Sequence, residues 1–195
     1  MKWKIIKHET LYKRYFSLEE YRLRYERFGG GEIEAVREIF ERGHAVVVLP
    51  YDARRDEVVL IEQFRPGAIH FSDNPWLLEL VAGVIEPGEE PEDVARREAQ
   101  EEAGCTLGEL LPIHRYLVSP GGTTESAAVY VGNVDSSGVG GLHGLEDEHE
   151  DIKVHVVSRV AAMDLMNQGR IINASALIGL QWLAMHYAEL RSRWS

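Results

Sequence analysis

The sequence predicts an α/β or α+β sandwich with a small β-sheet unit at its N-terminal end. Three observations carry this. Short β-rich runs recur through the chain, separated by turn-forming residues. One charged helix interrupts them, and a long apolar helix closes the chain. The order is therefore strands, helix, strands, helix, with the sheet mixed or antiparallel.

Residues 1–42 read as the β unit. "YRLRYERF" alternates Tyr21, Leu23 and Tyr25 against Arg22, Arg24 and Glu26, the period of a half-buried strand. Gly29, Gly30 and Gly31 permit a turn, and "EIEAVREIF" can return as its partner. So exposed a hairpin needs something to pack on, which points to a second copy of the chain.

From residue 43 to 195 the texture is that of a larger domain. "AVVVLPYD" and "EVVLIEQFR" are strands flanking the turn "YDARRD", and "WLLELVAG" is read as one further strand ending at Gly83. The next stretch reads as a helix. Pro91 suits its first turn, the early acids suit its positive end, and Gly104 suits its stop. "RYLVS", "SAAVYVGNV" and "DIKVHVVS" are strands, and "VAAMDLMNQG" is a short helix. The last helix has Asn173 as its cap and an apolar stripe at Leu177, Leu180, Ala184 and Tyr187.

Composition bounds the function. The 195 residues suit one ordinary domain with a small appendage, and 45% of them are hydrophobic, enough for a core. With 21 basic against 32 acidic residues the net charge is −11, which argues against nucleic acid and anionic membrane as partners. The lone Cys105 allows no internal disulfide and reads as a small apolar residue at a helix end. No apolar run approaches the ~20 residues of a membrane span, and no secretion signal is visible, so a cytoplasmic protein is expected.

The charged helix holds the chemistry. Glu98 and Glu102 lie one turn apart on one face, and Glu101 shares that edge. Like charges so spaced weaken a helix by ~0.2–0.5 kcal/mol per pair. A divalent cation bridging them would reverse that cost, and Mg²⁺ favours a few carboxylates plus substrate phosphate. A solvated acidic helix is the plain alternative.

The wider spacing favours the metal. Gly83, Glu89, Arg97, Glu98, Ala99, Glu101, Glu102, Gly104 and Cys105 stand at the positions of the pattern G-x5-E-x7-R-E-U-x-E-E-x-G-U, where U is apolar. This resembles the Nudix box. Further on, "HRYLVSPGGTTE" has Pro120 fifteen residues after Cys105. With "REIFERGHAVVVLPYD", "DEVVLIEQFR" and "GLHGLEDEHEDIKVHVVSR", it resembles the enterobacterial-type ADP-ribose pyrophosphatases over nearly the whole chain.

That resemblance implies a Nudix α/β/α sandwich and a set of roles. Glu98, Glu102, Glu150 and the Ala82 carbonyl would hold Mg²⁺, with Mn²⁺ as a substitute and Glu101 in a lesser part. Glu148 would be the general base, since a carboxylate engaged by a metal makes a poor one. Arg65 and Arg37 would meet the diphosphate, for which the guanidinium fork is suited. Glu125 would bind ribose hydroxyls, and Ser119, Pro120 and Gly121 would line that part of the cleft. Arg14 and Tyr15, from a partner subunit, would take the adenine. The implied reaction turns ADP-ribose into AMP and ribose 5-phosphate. The rival readings are a Nudix hydrolase of a nucleotide sugar such as GDP-mannose or of a dinucleoside polyphosphate, an inactive nucleotide sensor, and an acidic interaction domain.

Overall fold

The computed structural model describes residues 1–146 and 149–195. It divides into two units. The first comprises Met1–His44 with Tyr116–Ala127, the second Ala45–Arg115 with Ala128–Ser195.

The first unit is built on an antiparallel sheet in the order β1 (Trp3–Lys13), β2 (Ser17–Glu26), β3 (Glu32–Glu41). The β2–β3 turn contains the three glycines, and Gly30 and Gly31 have φ of 87° and 77°, a region that costs glycine little. Tyr116–Ala127 joins this unit. Phe40 N–H donates to the Gly122 carbonyl at 2.8 Å, and Thr124 hydroxyl donates to Glu41.

The second unit is organised by an eight-stranded mixed sheet. Its path runs β10 (Gly141–His143), β11 (Ile152–Ser158), β5 (Glu57–Phe64), β4 (His44–Asp52), β9 (Ser126–Asn133), β8 (Leu110–Leu117). β6 (Trp76–Glu79) pairs with β5, and β7 (Val81–Ile85) pairs with β4. The run read as one strand from Trp76 to Gly83 is thus two, changing partner at Leu80. That residue is buried, so hydropathy gives no sign of the change.

Helix α1 (Pro91–Ala103) begins on its proline and stops at Gly104, whose φ of 63° closes the C-terminal turn. Its Val94, Ala95 and Ala99 pack with Val59 and Ile61 of β5 and Ile152 and Val154 of β11 in one apolar cluster. α2 (Arg159–Asn167) is capped by Ser158 and α3 (Ala174–Trp194) by Asn173.

The buried stripe of α3 differs from the one read in the sequence. Ala176, Gly179, Leu180, Leu183, Leu190 and Trp194 are buried, whereas Ala184 is exposed. The helix presents small residues to the sheet. A Cβ on Gly179 would lie 2.8 Å from Leu80 Cδ1, so the backbone itself packs there. Cys105 is buried and free, and burial lifts its thiol to about 11, which removes it from nucleophilic chemistry near neutral pH. Among the described residues no helix is long and apolar enough to cross a membrane.

Candidate active site

The turn before α1 and the helix itself set up the acidic cluster. Gly88, at φ 94°, lets the chain fold back so that Glu86 N–H donates to the Glu89 carboxylate at 2.8 Å. Pro91 then starts the helix, and Glu98 and Glu102 emerge on the side that meets β7. Gly83 makes room for the first of them. A Cβ there would fall 2.0 Å from Glu98 Oε1, a position no methyl group can share. The glycine of the motif is therefore the seat of a carboxylate.

Glu102 is 2% exposed. Its Oε2 accepts a hydrogen bond from Ala82 N–H at 2.9 Å. Burial, with Glu98 and Glu150 adding negative charge, lifts its carboxyl to about 8 against the pull of that bond and of Arg65. Burial also raises Glu98 to about 7, opposed by Arg97 and reinforced by Glu101 and Glu150. Glu150 thus lies near enough for its charge to act on both helix carboxylates. Glu150 itself sits in a tight turn, with its N–H donating to the Leu145 carbonyl at 3.2 Å and its Oε2 accepting from Leu145 N–H at 3.3 Å. Gly144 N–H meets the Glu101 carbonyl at 3.4 Å, tying that turn to α1.

Arg97 holds the carboxylates beside it on the helix. Its Nη1 contacts Glu98 at 2.8 Å and Glu101 at 3.0 Å, and its Nη2 lies 3.9 Å from Glu89. It braces three of the motif's acids. Glu101, held by it, is less buried than Glu98.

These residues suit a hard divalent cation. All the donors are oxygens, and two of the carboxylates are hidden from water with too few N–H partners to hold their charge. Among the described residues no three His, Cys, Asp or Glu side chains already surround one point. The set would have to draw together around an ion. Glu148 lies outside the described residues.

Arg65, also in the second unit, bonds through Nε and Nη2 to Glu79 Oε2, each at 2.8 Å. Sequence reasoning missed Glu79, which sits at a strand end where polar residues are ordinary. The other residues assigned to substrate lie in the first unit. Arg37 is exposed and its Nη1 donates to the Val36 carbonyl at 2.7 Å. Tyr15, 86% exposed, stands beside Arg14 in the β1–β2 turn and meets Phe16 edge-on. Ser119 closes a turn over Pro120 and Gly121 by accepting from the Gly122 and Thr123 amides, each at 3.0 Å. Glu125 is buried and lies 3.5 Å from Arg42 Nε.

Comparison with known proteins gives the family. The family model of the NUDIX domain matches residues 41–174, which include the whole acidic cluster. The chain belongs to the NUDIX family. Within it, the chain falls in the ADP-ribose pyrophosphatase branch, and it is an enzyme. It is 54% identical to the ADP-ribose pyrophosphatase of Escherichia coli (strain K12), over 98% of this chain and 92% of that protein. It is 45% identical to the ADP-ribose pyrophosphatase of Haemophilus influenzae, over 97% and 89%. A GDP-mannose pyrophosphatase of Escherichia coli (strain UTI89 / UPEC) is 31% identical over 94% and 95%. Among solved structures, that of an ADP compounds hydrolase covers 97% of this chain and 96% of its own, with a TM-score of 0.74 at 22% identity, a likeness of fold. Nudix hydrolases generally use divalent metal ions.

Proposed function

We propose that this Nudix enzyme hydrolyses the pyrophosphate bond of ADP-ribose, giving AMP and ribose 5-phosphate, with Mg²⁺ as its metal and Mn²⁺ as a substitute. The two buried carboxylates Glu98 and Glu102, both within reach of the Glu150 charge and with Arg65 close enough to act on Glu102, carry the reading. The choice of ADP-ribose rests on the 54% and 45% identical relatives, against 31% for the GDP-mannose pyrophosphatase.

Glu98, Glu102, Glu150 and the Ala82 carbonyl would hold the metal, with Glu101 in support. Bound divalent cations neutralise the diphosphate and lower the pKa of the attacking water. Glu148 accepts the proton of that water, a step worth ~10²–10⁴-fold in rate. Arg65, held by Glu79, presents its free edge to a phosphate oxygen. Arg37 adds a second guanidinium, Glu125 takes ribose hydroxyls, Ser119, Pro120 and Gly121 line the sugar's path, and Arg14 and Tyr15 of a second copy take the base. A homodimer through β1–β3 is part of the reading. Trp3, Ile5, Leu11 and Tyr12 lie exposed on that sheet.

The test is turnover of ADP-ribose and GDP-mannose with and without Mg²⁺, with products identified. AMP and ribose 5-phosphate, formed faster than any product from GDP-mannose and only with metal, are expected. Preference for GDP-mannose sinks the substrate, and metal-independent turnover sinks the mechanism. Glu148→Gln should cut kcat while leaving ADP-ribose binding near wild type.

A further inference from the structure

Gln63 breaks the pattern of its strand. On β5, Val59 and Ile61 face α1 and join the apolar cluster. Alternation puts Gln63 on the same side, and it is only 7% exposed. Its carboxamide nitrogen is buried with no hydrogen-bond partner among the described residues. A buried donor left unpaired is costly, and an apolar residue in its place would avoid that. An unpaired donor is explained if its acceptor arrives with a ligand.

The neighbours say which ligand. Two residues on, and on the same side of the strand, comes Arg65, whose charge acts on Glu102. In the antiparallel pairing of β5 with β11, Glu62 faces Lys153 and Ile61 faces Val154, so the next position, opposite Gln63, falls at Ile152, two residues from Glu150. Gln63 is therefore placed opposite Ile152 on the side of β5 that carries Val59 and Ile61 towards α1. An amide N–H at that place needs an anionic or carbonyl oxygen. Glu102 Oε2 already accepts from Ala82, and Glu79 Oε2 from Arg65.

We propose that Gln63 is a substrate-binding residue whose side-chain N–H donates to an oxygen of the bound diphosphate, so that the end of β5 and the residue just past it, Arg65, offer the ligand two donors. This rests on the diphosphate reading above. It makes Gln63 a place where the ligand-free protein gives up stability to gain affinity.

The probe is α,β-methylene-ADP, a diphosphate that cannot be cleaved at its bridge, titrated calorimetrically with Mg²⁺ present. Gln63→Met keeps the length of the side chain and removes the donor. It should bind the probe about tenfold more weakly than wild type, the loss expected of one hydrogen bond to a charged group. Its melting temperature without ligand should equal or exceed that of wild type. Gln63→Glu, similar in shape but anionic, should bind more weakly still. Affinity within twofold of wild type in Gln63→Met overturns the proposal. So does a variant that melts several degrees lower with unchanged affinity, or does not fold, since the amide would then be structural. Failure of wild type to turn over ADP-ribose is a separate result, which sinks the substrate and leaves this comparison standing.

Discussion

Asp52 and Glu102 are almost equally hidden, at 3% and 2% exposure, yet their protons behave in opposite ways. Asp52 accepts from the Arg54 and Arg55 amides at 2.9 and 3.0 Å, and from the amide and hydroxyl of Ser136, both at 2.9 Å. Burial works against its charge, but those donors outweigh it and hold the carboxyl below its ordinary range. Glu102 has the Ala82 N–H and two repelling carboxylates, and it is pushed up to about 8. A buried acid whose donors are complete is a piece of architecture. One left short of donors has room for a cation, as the proposed metal site requires.

The largest test of this contrast is Glu102→Gln. Loss of an outer partner of a metal ligand alone costs ~10–100-fold, so loss of a ligand should lower kcat by about 10²-fold or more. The metal-free variant should be at least as stable as wild type, because a neutral amide avoids the proton uptake that burying the Glu102 carboxyl demands at pH 7, and Mg²⁺ should no longer raise its melting temperature. A variant that melts lower without metal and still responds to Mg²⁺ would put Glu102 in the same class as Asp52.

Gly83→Ala sharpens the same point from the other side. The new methyl would claim the space of the Glu98 carboxylate, 2.0 Å away. That atom is the end of a flexible chain, so the fold can yield by swinging Glu98 out. The expected outcome is a ~10–100-fold loss of kcat/KM and a weaker response to Mg²⁺ in calorimetry, with unfolding little changed. Unchanged kcat/KM would remove Glu98 from the metal.

Asp52→Asn should do the reverse. It leaves the donors of Ser136 facing an amide and should cost about 2–3 kcal/mol in urea unfolding. The kcat per folded molecule should hold. A fall in kcat at unchanged stability would erase the distinction.

The sequence made the Glu102 half of this contrast legible and hid the Asp52 half. Pro91 and Gly104 bound α1 to the residue, because a proline and a left-handed glycine are local signals. The motif spacing then put Glu98 and Glu102 on one face. The nearness of Glu150 to them came only through the family resemblance, since nothing in residues 106–149 says where the chain returns. Gln63 and Glu79 were invisible for a different reason. Polar residues at strand ends are ordinary, and nothing local marks Gln63 as buried or Glu79 as the partner of Arg65. The face of α3 was misread because hydropathy favours Leu177 and Tyr187, while the helix turns inward the side that bears Ala176 and Gly179, the latter packed closely on Leu80. The divide at Leu80 had no local marker at all.

The smallest effect belongs to an exposed acid. Glu109 takes hydrogen bonds from the Arg193 guanidinium and from Trp194 Nε1, pinning the end of α3, and these bonds hold its carboxyl down at about 2. Because the folded value lies below the ordinary 4.5, the contribution is complete above about pH 4.5 and is lost as pH falls towards 2. Glu109→Gln should therefore lower the melting temperature slightly at pH 7, and the gap from wild type should close as the buffer is taken from pH 5 to pH 2. The screened, solvent-facing pair makes this gap smaller than that of Asp52→Asn. A gap that persists unchanged at pH 2 would show that the acid's shape, and not its charge, anchors Trp194. A gap larger than that of Asp52→Asn at neutral pH would overturn the ordering by which donors matter most where water cannot replace them.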